Sequence, residues 1–275
     1  MTAFARFLGR LPLGLLQALG ALAGLLVCLL SSAYRRRLVA NLRLAGLPES
    51  LRWRCAMHAG CMIGELPWVW FRPQASVLER VRCDDVAVLE DAEREGRGVL
   101  FLTPHLGAFD LAARFYAARA PITVLFKPPR QPALAPLLQA ARDRGNMRGA
   151  PASIGGVRAM LRALRGSEAV GLLPDQVPGM GDGAWVPFFG APAYTMTLPE
   201  RLARSTGAAV VIAVAERLGP GEGWRVHFER FTEEPTPVAV NRAMERAILR
   251  LPAQYLWAYN RYKRPAGAPA PEPPA

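Results

Sequence analysis

Gly98-Val99-Leu100-Phe101-Leu102-Thr103-Pro104-His105-Leu106-Gly107-Ala108-Phe109-Asp110 is an apolar run that ends in a turn carrying a histidine and a carboxylate. The run from Gly98 to Leu102 is short, apolar and partly β-branched, as a buried strand requires, and Ala108 to Ala118 reads as a helix. His105 therefore sits in a strand-to-helix turn. Positions five apart on a continuous helix are rotated by about 140°, so His105 and Asp110 would not face each other if both were helical. Pro104 stops the strand and Gly107 allows a tight turn, which lets His105 fold back over the first helical turn and Asp110 reach one ring nitrogen. The helix dipole favours a carboxylate at that place. The other ring nitrogen is then available to take a proton from a hydroxyl. A plainer arrangement, with His105 bonded in a loop and Asp110 capping the helix, has the same spacing.

Alternation of this kind continues down the chain. Strands are expected at 98–103, 121–126, 169–173, 208–215 and 223–231, and helices at 49–63, 108–119, 132–142, 154–165, 197–206 and 238–250. The implied fold class is α/β, a single domain with a central mixed sheet flanked by helices and preceded by an N-terminal hydrophobic helix. If strands 98–103 and 169–173 are parallel, Asp175-Gln176 falls on the same sheet edge as His105, where open α/β sheets gather ligands. The same pair has a structural alternative, anchoring the Gly179 to Gly183 turn. No internal repeat is visible. The expected organisation is an anchor helix over 1–34, the catalytic domain over 35–265, and a disordered Pro/Ala-rich tail over 266–275.

Half of the chain, 51%, is hydrophobic, which is high for a freely soluble protein of 275 residues. Leu11 to Ala33 holds no charge and only Gln17, Ser31 and Ser32 as polar side chains, enough for a helix to span a bilayer. A cleaved signal peptide is the rival, with Arg6 and Arg10 before the run and Ser31-Ser32-Ala33 after it. The length of the run favours retention, as does Tyr34-Arg35-Arg36-Arg37 immediately behind it. Together with Arg43, that cluster places the remainder on the cytoplasmic side. Cys28 lies within the apolar run, and Cys55, Cys61 and Cys83 show no Cys-x-x-Cys spacing, which argues against a zinc site, a redox pair or an extracellular disulfide framework.

The formal charge is +12, and all 34 basic residues except Lys127 and Lys263 are arginine. Such a balance attracts anionic surfaces. No helix-turn-helix, zinc-finger or aromatic RNA-binding pattern accompanies it, so nucleic acid is not the expected partner.

Further motifs follow in order: Leu173-Pro174-Asp175-Gln176, then Trp185-Val186-Pro187-Phe188-Phe189-Gly190, then Gln254-Tyr255-Leu256-Trp257 and Arg261-Tyr262-Lys263-Arg264-Pro265. With the His105 motif ahead of them, they resemble the late acyltransferases of lipid A biosynthesis, the lauroyl and myristoyl transferases of the lysophospholipid acyltransferase superfamily. The resemblance runs from the N-terminal helix to about Pro265. It implies a membrane-bound enzyme of the bacterial inner membrane, catalytic domain on the cytoplasmic face, that moves a fatty acyl chain from a carrier thioester to a hydroxyl of an anionic lipid A precursor. His105 is then the general base and Asp110 its orienting carboxylate. Arg142-Asp143-Arg144 matches an Arg-x-Arg segment, with Arg144 the first candidate for the active-site arginine and Arg142 the second. Lys127 and Arg130 lie where such enzymes present basic residues to the substrate head group, although Lys127-Pro128-Pro129-Arg130 departs from the commoner Arg-Pro form.

Phe188 and Phe189 are expected to wall an acyl-chain site. In the segment 154–165, Ile154, Val157, Leu161 and Leu164 recur at helical spacing and leave Arg158, Arg162 and Arg165 on another face. That stripe is either a solvated surface or a dock for acidic acyl carrier protein, the expected donor, with acyl coenzyme A the alternative. His227 should face solvent opposite Val226 and Phe228, and His58 has no evident partner. No metal or redox cofactor is implied. Direct attack is expected rather than an acyl-enzyme, because no serine or cysteine stands beside His105, although Cys83 and Ser153 could approach through the fold. Ornithine lipid, a glycolipid or a lysophospholipid is an alternative acceptor, and a catalytically idle membrane-anchored lipid-binding protein the alternative of another class.

Overall fold

The structure, a computed structural model, describes residues 7–126 and 145–271. In chain order the principal elements are α1 (Leu13–Leu30), α2 (Ser32–Leu44), α3 (Arg52–Phe71), α4 (Gln74–Leu78), β1 (Val81–Cys83), α5 (Val86–Arg94), β2 (Val99–Leu102), α6 (Asp110–Ala117), β3 (Ile122–Phe126), β4 (Met147–Pro151), α7 (Ile154–Arg165), β5 (Ala169–Leu172), β6 (Gly183–Phe188), β7 (Ala191–Met196), α8 (Leu198–Thr206), β8 (Ala209–Arg217), β9 (Trp224–Arg230) and α9 (Pro237–Arg250). Seven strands form one sheet in the order β1-β9-β8-β2-β5-β3-β4. From β8 to β4 the neighbours are parallel, while β9 runs antiparallel to β8 and carries β1 parallel to itself. A mixed sheet flanked by helices is therefore the fold, and β6 and β7 add a separate two-stranded ribbon.

The five expected strands are all present, and the central ones, β2 and β5, are buried at every position. Burial on both faces explains why they are apolar without alternation. Two hydrophobic clusters lie on opposite faces of the sheet: Leu100, Leu102, Val170 and Leu172 face α7 and α9, whereas Val99, Phe101 and Ala169 face α6. The elements not anticipated are α2, α4, β1, α5, β4 and the β6–β7 ribbon. The expected helix 132–142 lies outside the described residues.

Helix α3 runs well past the expected end at residue 63, with Pro67 inside it. Pro67 removes one backbone donor, but burial of Glu65, Trp68 and Val69 holds the last two turns. Along this helix lies α1, at a distance only glycine permits. A Cβ at Gly20 or Gly24 would collide with the carbonyls of Gly60 or Ala56, and one at Gly60 with the carbonyl of Gly20. Leu13, Leu16, Gln17, Gly20, Gly24 and Cys28 form the buried face of α1. Leu15, Leu19, Leu22, Leu26, Leu29 and Leu30 are exposed on the other faces. Helix α1 has 18 residues and a composition apolar enough to cross a membrane. It ends where Ser31 turns extended, and Arg35 donates to the Cys28 and Leu29 carbonyls at 2.7 and 2.9 Å. At the other terminus part of the expected tail is docked: Ala268 is fully buried and Trp185 donates to the Pro269 carbonyl at 2.9 Å.

Candidate active site

Register brings the site together. Strands β2 and β5 are parallel with Leu102 opposite Leu172, so His105 and Asp175 each stand three residues beyond a matched pair, at the carboxyl edge of the sheet. Asp175 accepts from the His105 ring Nδ1 at 2.7 Å and from the His105 main-chain N–H at 2.9 Å. Its two bonds fix both the ring and the backbone that carries it. With Nδ1–H given to a carboxylate, Nε2 is the acceptor nitrogen, and the Gln176 amide donates to it at 2.9 Å. The His105 side chain is 14% exposed and that of Asp175 1%.

The expectation that Asp110 orients His105 is therefore corrected: the carboxylate on the ring belongs to Asp175. Asp110 opens α6, and its Oδ2 accepts from Arg114 Nε one helical turn on and from Trp70 Nε1, both at 2.8 Å. A carboxylate at a helix start is drawn toward its i+4 arginine, whereas the next parallel strand offers one already level with the histidine. Asp175 was placed on the correct edge from sequence, but its bond to His105 needed the register.

Burial works to raise the Asp175 carboxyl, yet the His105 ring, the two hydrogen bonds and the Arg261 guanidinium outweigh it and hold the carboxyl below its ordinary value. Tyr255 also bonds Asp175, and burial followed by the Asp175 charge keeps its hydroxyl protonated well above the usual range. The result is an ionised, enclosed carboxylate whose partners all donate.

The turn itself is clamped from the C-terminal motif. Gly107 N–H donates to the Gln254 carbonyl at 3.1 Å, Leu256 N–H to the His105 carbonyl at 3.2 Å, and Ala108 N–H to the Ala215 carbonyl at 2.8 Å. Gly107 adopts φ +62°, and a Cβ there would strike the Ala215 carbonyl. Behind it lies a buried charge pair that sequence reading missed. Arg217 gives Nε to Glu65 at 2.8 Å, a second donor to the other Glu65 oxygen, and Nη2 to the Gly107 carbonyl at 3.2 Å. Glu65 also accepts from Gln17 of α1 at 3.1 Å and from Trp224 at 3.3 Å. His58 accepts from Arg217 at 3.3 Å, and burial, then Arg217 and Arg54, push its imidazole down to about 4.

Other sequence-selected residues separate clearly. Phe188 is fully buried, its ring 4.8 Å from that of Phe189 and under the Arg261 guanidinium at 4.9 Å, so it is core first. Phe189 is partly exposed and packs on Trp257 at 5.5 Å. Arg158, Arg162 and Arg165 are exposed on α7 as expected, although the buried face of that helix is Gly156, Met160, Ala163 and Leu164, and Ile154 is exposed. His227 is half-exposed between Glu216 at 3.1 Å and Asp85 at 3.6 Å. Lys127, Arg130, Arg142 and Arg144 lie outside the described residues. Neither alternative nucleophile approaches His105. Cys83 is on β1, three strands from β2 or roughly 14 Å, with its thiol raised by burial, and Ser153 caps α7 through Gly156 N–H at 3.3 Å. The four cysteines are free. Among the described residues, no group of three or more His, Cys, Asp or Glu is placed to hold a metal ion.

A base oriented by a buried carboxylate, at the ligand-gathering edge of an α/β sheet, suits proton removal from a hydroxyl. A family model for bacterial lipid A biosynthesis acyltransferases matches residues 1–264. The chain belongs to that family. It is 28% identical over 218 residues, 76% of this chain and 70% of the relative, to a lipid A biosynthesis palmitoleoyltransferase of Escherichia coli (strain K12). A lauroyltransferase of the same strain is 27% identical over 220 residues, covering 77% and 71% of the two chains. A lipid A biosynthesis acyltransferase of Haemophilus influenzae aligns over 270 residues at 26% identity, covering 92% and 86%. Membership makes this protein an acyltransferase of the lipid A biosynthesis type.

Proposed function

We propose that the protein transfers a fatty acyl chain from an acyl carrier protein thioester to a hydroxyl of a lipid A precursor by direct attack. The observation that carries this reading is the chain Asp175–His105–Gln176, which leaves His105 Nε2 as the basic nitrogen at the sheet edge. The acceptor hydroxyl takes the place of the Gln176 amide and gives its proton to Nε2 as its oxygen attacks the thioester carbonyl. Asp175 stabilises the imidazolium that forms. When the tetrahedral intermediate collapses, the carbon–sulfur bond breaks and the proton passes from Nε2 to the departing thiolate. Gln176, turned from Nε2, is within reach to donate to the oxyanion. Asp110 positions the start of α6 through Arg114 and Trp70, and Arg144 is assigned to developing negative charge or a phosphate.

The outer leucine face of α1 supports attachment to the bacterial inner membrane, and the arginines behind α1 support a cytoplasmic catalytic domain. The test pairs two measurements. Mass spectrometry of lipid A from cells lacking the protein should show a precursor short of one acyl chain. Purified His105→Ala, with donor and acceptor saturating, should turn over about 100-fold or more slowly than the parent. Unchanged lipid A together with near-parental turnover would refute the assignment.

A further inference from the structure

Three buried side chains in series join helix α1 to the catalytic turn. Gln17 of α1, Glu65 of α3 and Arg217 at the end of β8 are 2%, 1% and 4% exposed, so bulk water is not at hand to replace a lost bond. Gln17 donates to Glu65 Oε2 at 3.1 Å, and its amide oxygen accepts from Gly221 N–H at 2.9 Å, which fixes the way the amide faces. Glu65 accepts from Arg217 Nε at 2.8 Å on one oxygen and from Nη2 on the other. The second hydrogen of Nη2 goes to the Gly107 carbonyl at 3.2 Å. Three links thus lead from the apolar helix to a peptide two residues beyond His105.

The last link acts where the backbone is most able to turn. Gly107 has φ +62°, and glycine lets the Gly107–Ala108 peptide plane rotate more freely than another residue would. Strand β8 holds both sides of that plane, since Arg217 donates to its carbonyl and the Ala215 carbonyl accepts its Ala108 N–H at 2.8 Å. Arg217 is itself anchored: its main-chain N–H donates to Gln254 Oε1 at 2.8 Å, and its carbonyl accepts from the Gln254 amide at 2.9 Å. The planar guanidinium fork lets one side chain serve Glu65 and Gly107 together, which a point-like ammonium does not. Stability alone does not call for this arrangement, because a buried ion pair is often no more stabilising than apolar residues of the same volume.

We infer that Gln17, Glu65 and Arg217 are positioning residues for acyl transfer, a relay through which the seat of α1 against α3 sets the turn that carries His105. The inference rests on His105 serving as the base, as in the reading above, and makes the lipid-facing helix part of what holds that base. Gly20 and Gly24, within two turns of Gln17, fix the close helix contact at which its amide meets Glu65.

Two variants of the full-length protein in detergent test the relay. Arg217→Lys keeps a cation beside Glu65 and gives up the bond to Gly107, whereas Gln17→Met keeps the volume and gives up the donor from α1. Turnover at saturation should fall about tenfold in Arg217→Lys, as loss of one charge-assisted bond predicts, and about threefold in Gln17→Met, with the Michaelis constants of both substrates unchanged. Hydrogen exchange supplies a readout that a merely structural role does not move. The Gly107 and Ala108 amides should exchange roughly tenfold faster in Arg217→Lys, while those of α7 exchange as in the parent. Leu164→Val, a core change in the last turn of α7 at the opposite sheet edge, controls for lost stability and should leave turnover per folded molecule unchanged. Parental turnover in Arg217→Lys, or unchanged exchange at Gly107 and Ala108, would overturn the inference. So would an equal fall in Leu164→Val, which would assign the effect to stability, or parental turnover in Gln17→Met, which would cut α1 out of the relay. Should Arg217→Lys fail to fold, Gln17→Met read by the same two measurements decides. Parental turnover in His105→Ala with the exchange difference intact counts against the proposed reaction and not against the hold on the turn.

Discussion

At the catalytic turn, two carboxylates compete for one role, and their surroundings separate them. Asp175 is buried and bonded twice to His105, whereas the Asp110 side chain is 25% exposed and spends its bonds on Trp70 and Arg114. Asp175→Asn should therefore cost more in turnover at saturation than Asp110→Asn, because an amide at 175 leaves the ring without its charge partner and permits the wrong tautomer. Asp110→Asn should act chiefly through a looser α6. Steady-state rates of the two purified variants decide this, and a larger loss from Asp110→Asn would restore Asp110 as the orienting group. His58 supplies a second test at this scale. Its imidazole is held at about 4 in the fold against 6.5 ordinarily, so between those pH values the unfolded chain binds a proton that the folded chain refuses. Stability contributed by neutral His58 is whole above about pH 6.5 and declines toward pH 4, by at most roughly 3 kcal/mol. His58→Gln still accepts from Arg217 and removes the titration, so its melting temperature should fall less between pH 7 and pH 5 than that of the parent. Parallel curves would show that His58 is not the group responsible.

Helix α1 is both part of the fold and the surface offered to lipid, and these uses are separable. Its inner face brings Leu13 and Leu16 into the core, packs glycine to glycine on α3, and gives Gln17 to Glu65 and to Gly221 N–H at 2.9 Å. Removing residues 1–30 would expose that face and strip a donor from a buried carboxylate, so the expected outcome is an aggregated or unfolded chain rather than a soluble enzyme. Replacing Leu19, Leu22, Leu26 and Leu30 with glutamine, on the exposed faces, should instead keep the far-ultraviolet spectrum and release protein from membranes on fractionation. A folded, active truncation would sink the claim that α1 belongs to the domain. The sequence made α1 legible by its length and apolarity, but its partner was not, since Gly20 and Gly60 match only when two helices are already side by side. Likewise β2, β3, β5 and β8 were legible as apolar runs, and β9 as an alternation of apolar and polar residues. Strand β4, Met147-Arg148-Gly149-Ala150-Pro151, was not, because an edge strand tolerates glycine and proline and needs no apolar alternation. The β6–β7 ribbon hides behind Pro187 and Pro192 for the same reason. Asp175 was legible as a residue of the right edge, while the Glu65–Arg217 pair, 152 positions apart in sequence, carried no local signal.

Over the whole molecule, a net charge of +12 must be presented somewhere useful if it is to guide an acidic carrier rather than only a membrane. Helix α7 follows β4 in the parallel part of the sheet, so its first turn lies at the carboxyl edge with His105 and its last turn at the opposite edge. Arg158 is thus nearer the catalytic edge than Arg165, with Arg162 between them, and all three are exposed. If acyl carrier protein docks on this stripe to deliver its thioester, charge reversal should matter most close to the site. Arg158→Glu is expected to raise the Michaelis constant for the carrier substrate more than Arg165→Glu, with little change in rate at saturation. The effect should shrink as salt rises toward the ionic strengths that screen exposed charges beyond about 10 Å. Assays with acyl coenzyme A run alongside give the control, since a small donor does not need the stripe. Equal losses with both donors would move the arginines to the acceptor or to the fold, and no loss with either would leave the stripe a solvated face and the donor to be recognised elsewhere on the molecule.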